Sequence, residues 1–295
     1  MVLKRTPPEK IAVLAHPRIS GALQVAEVVA GFLSERGVTS EFGSLYDETL
    51  RDAVGASDYD LVIALGGDGT MLRAGHLCAP ADIPLLGINV GHFGFLVEVK
   101  REDWQSVLPK LLAGEFRFEE RMMIAARCSR AGTPDEDFDV INDVVVTRGQ
   151  YVRPIEVSAD LDGARIASYV ADGLIAATPT GSTAYALAAG GPILPPEMRN
   201  ILLTPVAPHL SVDRAVVLSE GAEICITVHT EHEAVVSVDG QESLPMLSGD
   251  CVWIRAHEKS LHMVRFQDPG YFYRNLTAYM EHNPLLSIKN NGQSH

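Results

Sequence analysis

Residues 61 to 75 read "LVIALGGDGTMLRAG". An apolar run passes straight into two glycines, an aspartate, a third glycine and a threonine, and the apolar residues after them return at helical spacing. A short apolar run that ends in glycines and opens a helix is a buried strand, a tight turn and a helix. Glycines at the carboxyl end of such a strand are expected to let the backbone take positive φ, and to let a ligand approach main-chain N–H groups with no Cβ in the way. The following helix aims the positive end of its dipole at the same point, so a phosphate suits it. Asp68 does little for a phosphate, because like charges repel. It suits a proton acceptor for a hydroxyl, or a partner for a metal ion. The plainer alternative is a connecting turn in which Asp68 caps the helix.

Outward from this stretch, "KIAVLAH" (10 to 16) is a short buried strand, and Val25, Val28, Val29, Phe32 and Leu33 mark an amphipathic helix over residues 22 to 35. "IPLLGINVG" supplies another strand, and Trp104, Val107, Leu108, Leu111 and Leu112 a further helix. Strands alternating with helices predict a Rossmann-like α/β domain, a parallel sheet covered on both faces. A second glycine turn, "GINVGHFGFL" (87 to 96), follows the next strand and should arrive beside the first.

Past "AGEFRFEER" the texture changes to short strands separated by Gly and Asp turns, as in "INDVVVTRG", "AEICITVHT" and "EAVVSVDGQE", which predicts a β-rich second domain. One helix is expected inside it, "STAYALAAGG", with a Ser cap and terminal glycines. "YFYRNLTAYMEH" predicts a C-terminal helix that returns to the first domain, and the tail "NNGQSH" is expected to fray. The expected division is residues 1–117 with 270–295 as the α/β domain, and 118–269 as the β-rich domain.

The 295 residues, 46% apolar and 21% charged, have the composition of a folded globular protein. A net charge of -14, from 24 basic and 38 acidic side chains, argues against nucleic acid or an anionic membrane as partner, and no Lys/Arg run overrides it. The four cysteines form no CxxC pair and suit buried thiols in a reducing compartment. With no signal peptide or membrane-length apolar run, the expected location is cytoplasmic. His76, His92 and His209 lie near the glycine motifs without metal-ligand spacing, and Trp104 and Trp253 are expected in the core.

A third glycine-rich segment, "DGLIAATPTGSTAYALAAGGP" (172 to 192), places hydroxyls and free N–H groups at another helix start. The series "GGDGT", "GINVGHFGFL", "NDVVV" (142 to 146), "DGLIAATPTGSTAYALAAGGPI", "TPVAPHLS" and "SVDGQ" covers most of the chain and resembles the NAD kinase family, whose members phosphorylate the adenosine-ribose 2′-hydroxyl of NAD. "GGDGT" is shared with diacylglycerol and sphingosine kinases and indicates phosphoryl transfer alone; "TPTGSTAY" discriminates.

The resemblance implies Asp68 as general base on the 2′-hydroxyl, with Gly69 giving a backbone contact and Arg73 facing phosphates. It implies Asn142 and Asp143 on ribose and adenine-side groups, and Arg153 as a further contact. Asp172 would hold the nicotinamide carboxamide or its ribose. Thr183, Ala184, Tyr185, Ala186, Leu187 and Ala188 would line the dinucleotide cleft, with Gln241 completing the set. Phe93 stands where the family often has Leu. "PHLSVDRAVVL" departs from the family pattern, which leaves His209 and Arg214 with structural roles.

An aspartate of ordinary pKa, ~3.9, is a weak base, so Asp68 is expected to take the proton late, with geometry mattering more than basicity. The implied cofactors are ATP as donor and Mg²⁺ (or another divalent cation) carried mainly by the nucleotide; NAD is the acceptor, and a homodimer or homotetramer is implied. A lipid kinase would need an apolar entry surface, against which the acidic charge argues. A dinucleotide sensor would bind through the same clefts and transfer nothing.

Overall fold

The structure, a computed structural model, describes residues 5–91, 94–209 and 213–281. His92, Phe93 and the tail over residues 290–295 lie outside the described residues. The chain divides into two compact units, one made of the residues up to Glu120 with those from Leu261 onward, the other of Arg121–Ser260.

In the first unit β1 (Lys10–Ala15), α1 (Ala22–Ser34), β2 (Thr39–Ser44), α2 (Glu48–Gly55), β3 (Leu61–Gly66), α3 (Asp68–Cys78), β4 (Leu85–Asn89), β5 (Val99–Lys100) and α4 (Trp104–Leu112) alternate as expected. β1 pairs in parallel with β2 and with β3, β3 with β4, and β4 with β5. Every residue of β3 is buried, the pattern of a strand covered on both faces. α1 presents Ala22, Ala26, Val29, Ala30 and Leu33 to Ile11, Val13, Ile63 and Leu65. Val28 instead faces solvent, because the small alanines turn the helix's close-packing side away from it.

The order β2-β1-β3-β4 reverses direction between β1 and β3, since the chain leaves β1 first to one side and then to the other. Open α/β sheets bind ligands in the crevice at the carboxyl ends of the strands flanking such a reversal. Here those ends are His16, directly after β1, and the glycine turn directly after β3.

The second unit is built of strands. β6 (Arg117–Ser129), β7 (Glu136–Val140), β8 (Asp143–Arg148), β9 (Ile155–Leu161), β10 (Ala164–Ala171) and β11 (Gly173–Ala177) lead to a short helix, α5 (Tyr185–Ala188). β12 (Asn200–Val206), β13 (Val216–Ser219), β14 (Ile224–His229), β15 (Ala234–Val238), β16 (Leu244–Met246) and β17 (Cys251–Arg265) follow, and α6 (Tyr271–Glu281) comes after the chain has re-entered the first unit. Antiparallel pairing orders six strands as β13-β12-β11-β8-β15-β16, while β10, β9, β14 and β17 form a second antiparallel run. Val144, Val146, Leu174 and Val236 from the first layer share one core with Ile155, Val157, Ile224 and Val252 from the second. The Asp162-Gly163 turn takes positive φ at both residues, as the two-residue hairpin loop between β9 and β10 requires, and Asp239 and Gly240 also take positive φ in the longer connection between β15 and β16.

Two sequence expectations in the second unit need correction. "STAYALAAGG" is not one capped helix: Gly181–Thr183 form a 3₁₀ turn, Ala184 breaks away at φ -98° and ψ -125°, and helix resumes only over Tyr185–Ala188. Ser182 does not cap because its hydroxyl turns inward, donating to the Pro179 carbonyl (2.6 Å) and accepting from the Leu194 N–H (2.9 Å). Trp253 is 41% exposed, since it alternates with the buried Val252 and Ile254 on the outward face of β17. Trp104 is buried as expected.

Candidate active site

The turn after β3 is not left-handed. Gly66, Gly67 and Gly69 are absent from the positive-φ positions, and Gly67, extended at φ -105° and ψ -167°, sends the strand directly into α3. Asp68 is the first helical residue, and its carboxylate leaves its own helix. Oδ2 accepts the Phe95 N–H at 2.8 Å and Oδ1 the Leu96 N–H at 3.0 Å, so the two glycine turns meet as the sequence suggested. Gly94 lets this happen, because a Cβ there would overlap the Asp68 carboxylate.

The same crevice gathers positive charge. Arg73, exposed on α3, brings Nη1 to 3.2 Å from His16 Nε2, and its guanidinium carbon lies 5.9 Å from the Tyr46 ring centre. The Arg18 N–H donates to His16 Nδ1 at 3.2 Å. Burial, then the charges of Arg73 and Arg18, hold the His16 imidazole below its usual pKa. Neither Arg18 nor Arg73 has a carboxylate partner among the described residues. In a chain of net charge -14, two guanidinium groups without counter-ions at a switch point form a place for an anion. Sequence reasoning named Arg73 but not the neighbours the structure gives it, His16 and Arg18, whose signal was their position at the end of the first strand.

In the second unit, Asn142 and Asp143 sit at the start of β8, clamped from two sides. Asp239 accepts three consecutive backbone N–H groups, from Ile141 (2.8 Å), Asn142 (2.7 Å) and Asp143 (2.9 Å). Thr178 answers from the other side: its N–H donates to the Asn142 carbonyl (2.8 Å) and its hydroxyl to the Ile141 carbonyl (2.5 Å). Gly181 closes the loop, since a Cβ there would overlap the Asn142 carbonyl. With its backbone fixed, Asn142 keeps a half-buried side-chain amide that has no hydrogen bond among the described residues. Asp143 is buried, and its carboxyl is pushed up to about 7, first by burial and then by the charge of Asp239. Buried Arg121 donates to the Thr180 hydroxyl at 3.3 Å.

The other expected residues scatter more widely within this unit. The Asp172 carboxylate lies 3.2 Å from Arg148 Nε, and its carbonyl accepts the Thr147 hydroxyl (2.7 Å). Arg153 is exposed, 3.3 Å from His232 Nε2. The Thr183 hydroxyl donates to the Thr180 carbonyl (3.0 Å); Ala184 and Leu187 are half-buried, Ala186 is buried, and Tyr185 and Ala188 are exposed. Gln241 is exposed at the Asp-Gly turn, where its N–H closes on the Val238 carbonyl (2.9 Å). No hydrogen bond among the described residues joins Arg153 or Gln241 to the Asn142 loop. Asp239, two residues before Gln241, is the structural anchor of "SVDGQ", and sequence reasoning missed it. Exposed His209 bonds through its backbone to Val170, and Arg214, 86% exposed, pairs with Asp213.

Among the described residues no three His, Cys, Asp or Glu gather to hold a metal ion, and no helix is long and apolar enough to cross a membrane. A carboxylate and positive charge at the switch point of a parallel sheet fit a nucleotide-dependent phosphotransferase. Residues 35–116 match the ATP-NAD kinase N-terminal domain and residues 141–266 the ATP-NAD kinase C-terminal domain. This chain belongs to the NAD kinase family. It is 41% identical over 260 residues to the NAD kinase of Heliobacterium modesticaldum, a match covering 85% of this chain and 91% of that protein. With the NAD kinase of Chloroflexus aurantiacus it shares 37% over 271 residues, covering 92% and 98%. An NAD kinase from Archaeoglobus fulgidus solved in complex with ATP is similar at a TM-score of 0.74 and 26% identity, over 93% of this chain and 99% of that one. Yeast NADH kinase complexed with NADH has the same fold, with a TM-score of 0.82 at 20% identity over 99% and 90%.

Proposed function

We propose that this chain transfers the γ-phosphoryl group of ATP to the 2′-hydroxyl of the adenosine ribose of NAD, giving NADP and ADP. The observation that carries the reading is the Asp68 carboxylate, anchored by the Phe95 and Leu96 N–H groups at the end of β3. Phosphoryl transfer has a loose transition state, so catalysis rests on position and on charge stabilisation. Asp68 fits that demand: its carboxylate is held in place by the Phe95 and Leu96 N–H groups, and the hydroxyl proton passes to it as the new O–P bond forms.

In this reading Arg73, the Gly69 backbone and Arg18 meet the phosphates of ATP. Asn142 and Asp143 bind the ribose and adenine side, Asp172 the nicotinamide end, and Thr183 to Ala188 line the cleft, with Arg153 and Gln241 as outer contacts. Mg²⁺ would be carried by the nucleotide and would offset charge on its phosphoryl oxygens, which needs no dedicated protein cage. A homodimer or homotetramer in the cytoplasm belongs to the same proposal.

The test is purified protein with ATP, Mg²⁺ and NAD, read through an NADP-specific dehydrogenase. NADP is expected from NAD and no product from 2′-deoxy-NAD. Binding of NAD, seen as thermal stabilisation, without any NADP would instead mark a sensor and end the kinase reading.

A further inference from the structure

Asp68 takes its position from the 94–96 loop, so whatever fixes that loop fixes the carboxylate. Leu96 is held at both of its backbone polar groups: its N–H by Asp68 and its carbonyl by Arg265 Nη1, at 3.0 Å. Arg265, near the end of β17, is only 4% exposed. Its Nε donates to Glu119 Oε1 at 3.0 Å, and the Glu98 carboxylate lies 3.9 Å away. Glu98 returns the connection, accepting the Phe266 and Gln267 N–H groups at 2.8 and 3.0 Å. A two-way clasp results, in which the side chain of 265 holds the backbone of 96 and the side chain of 98 holds the backbone of 266 and 267. All of these residues belong to the first unit.

We infer that Arg265 is a positioning residue for phosphoryl transfer, setting the place of the Asp68 carboxylate through the Leu96 peptide. The inference rests on the role proposed for Asp68. Its physical basis is the planar guanidinium, which bonds Glu119 and the Leu96 carbonyl from fixed directions; an ammonium on a flexible stem offers no such fork. Replacing Arg265 need not unfold the chain. Glu119 keeps Arg117 at 3.3 Å, and Glu98 keeps its two backbone donors.

The experiment compares Arg265→Met and Arg265→Lys with the parent in kcat, in KM for NAD and ATP, in melting temperature and in amide exchange at Phe95 and Leu96. Roughly a 10- to 100-fold loss of kcat is expected in both variants, with each KM within about threefold and faster exchange at both amides. Arg265→Lys should recover the melting temperature and not kcat, a split that a purely charge-balancing role would not produce. Kcat within twofold of the parent in either folded variant, or unchanged exchange at the two amides, overturns the inference. Failure of the function itself would appear separately, as a parent protein that makes no NADP; the exchange measurement would then still decide whether Arg265 holds the loop.

Discussion

Gly94→Ala lowers kcat for NADP formation by about 10²-fold or more, with little change in KM for ATP. The added methyl occupies the space of the Asp68 carboxylate, so either that carboxylate rotates off the Phe95 and Leu96 N–H groups or the loop shifts. A displacement of about 1 Å in a catalytic group is enough for a loss of this size, because phosphoryl transfer depends on placement more than on proton affinity. The residues proposed to meet ATP are spared because His16, Arg18 and Arg73 make their contacts with one another. Overpacking costs roughly 1–3 kcal/mol of stability, so the variant folds and the comparison is fair. Steady-state kinetics beside a thermal melt provide the check. A folded Gly94→Ala enzyme with kcat near the parent value would mean that the geometry of Asp68 is not what limits the reaction.

Asp143→Asn stabilises the protein at pH 8 by as much as about 4 kcal/mol, and the gain disappears near pH 4. Burial and the neighbouring Asp239 charge raise the folded-state value of Asp143 to about 7, whereas in the unfolded chain it titrates as an ordinary carboxyl near ~3.9. Between these values the folded state binds more protons than the unfolded one. The contribution of Asp143 is therefore fully present below about pH 4, declines as pH rises, and is lost above about pH 7. An amide carries no charge and escapes this loss, and Asp143 has no side-chain hydrogen bond among the described residues to forfeit. Denaturant unfolding of both proteins at pH 4, 6 and 8 measures the difference. A gap that stays constant across that range would show that Asp143 titrates normally in the fold.

Local signals gave the strand-helix alternation, the buried β3, the meeting of the two glycine turns and the Asp-Gly hairpin turns. Each depends on residues close in sequence, where periodicity and turn chemistry act. The partners that fix the site are distant. Asp239 reaches Asn142 across 97 positions, and Arg265 reaches Leu96 across 169. Only strand register and the path of β17 bring them together, and neither is encoded in a short window. The glycine turn after β3 shows a different gap: its residues suggested positive φ, but an extended Gly67 makes the bend and the essential missing Cβ is at Gly94. Trp253 was legible by a stricter reading, because the alternation of "CVWIR" puts it opposite Val252 and Ile254. Ser182 was not, since the inward turn of its hydroxyl depends on Leu194, twelve residues on.

A crystal structure with NAD and a non-transferable ATP analogue tests the account most directly. It should show an Asp68 oxygen about 3 Å from the adenosine-ribose 2′-oxygen while the Phe95 and Leu96 N–H groups still hold the carboxylate. A ribose hydroxyl out of reach of Asp68, or a carboxylate turned away from those two donors in the bound state, would contradict it.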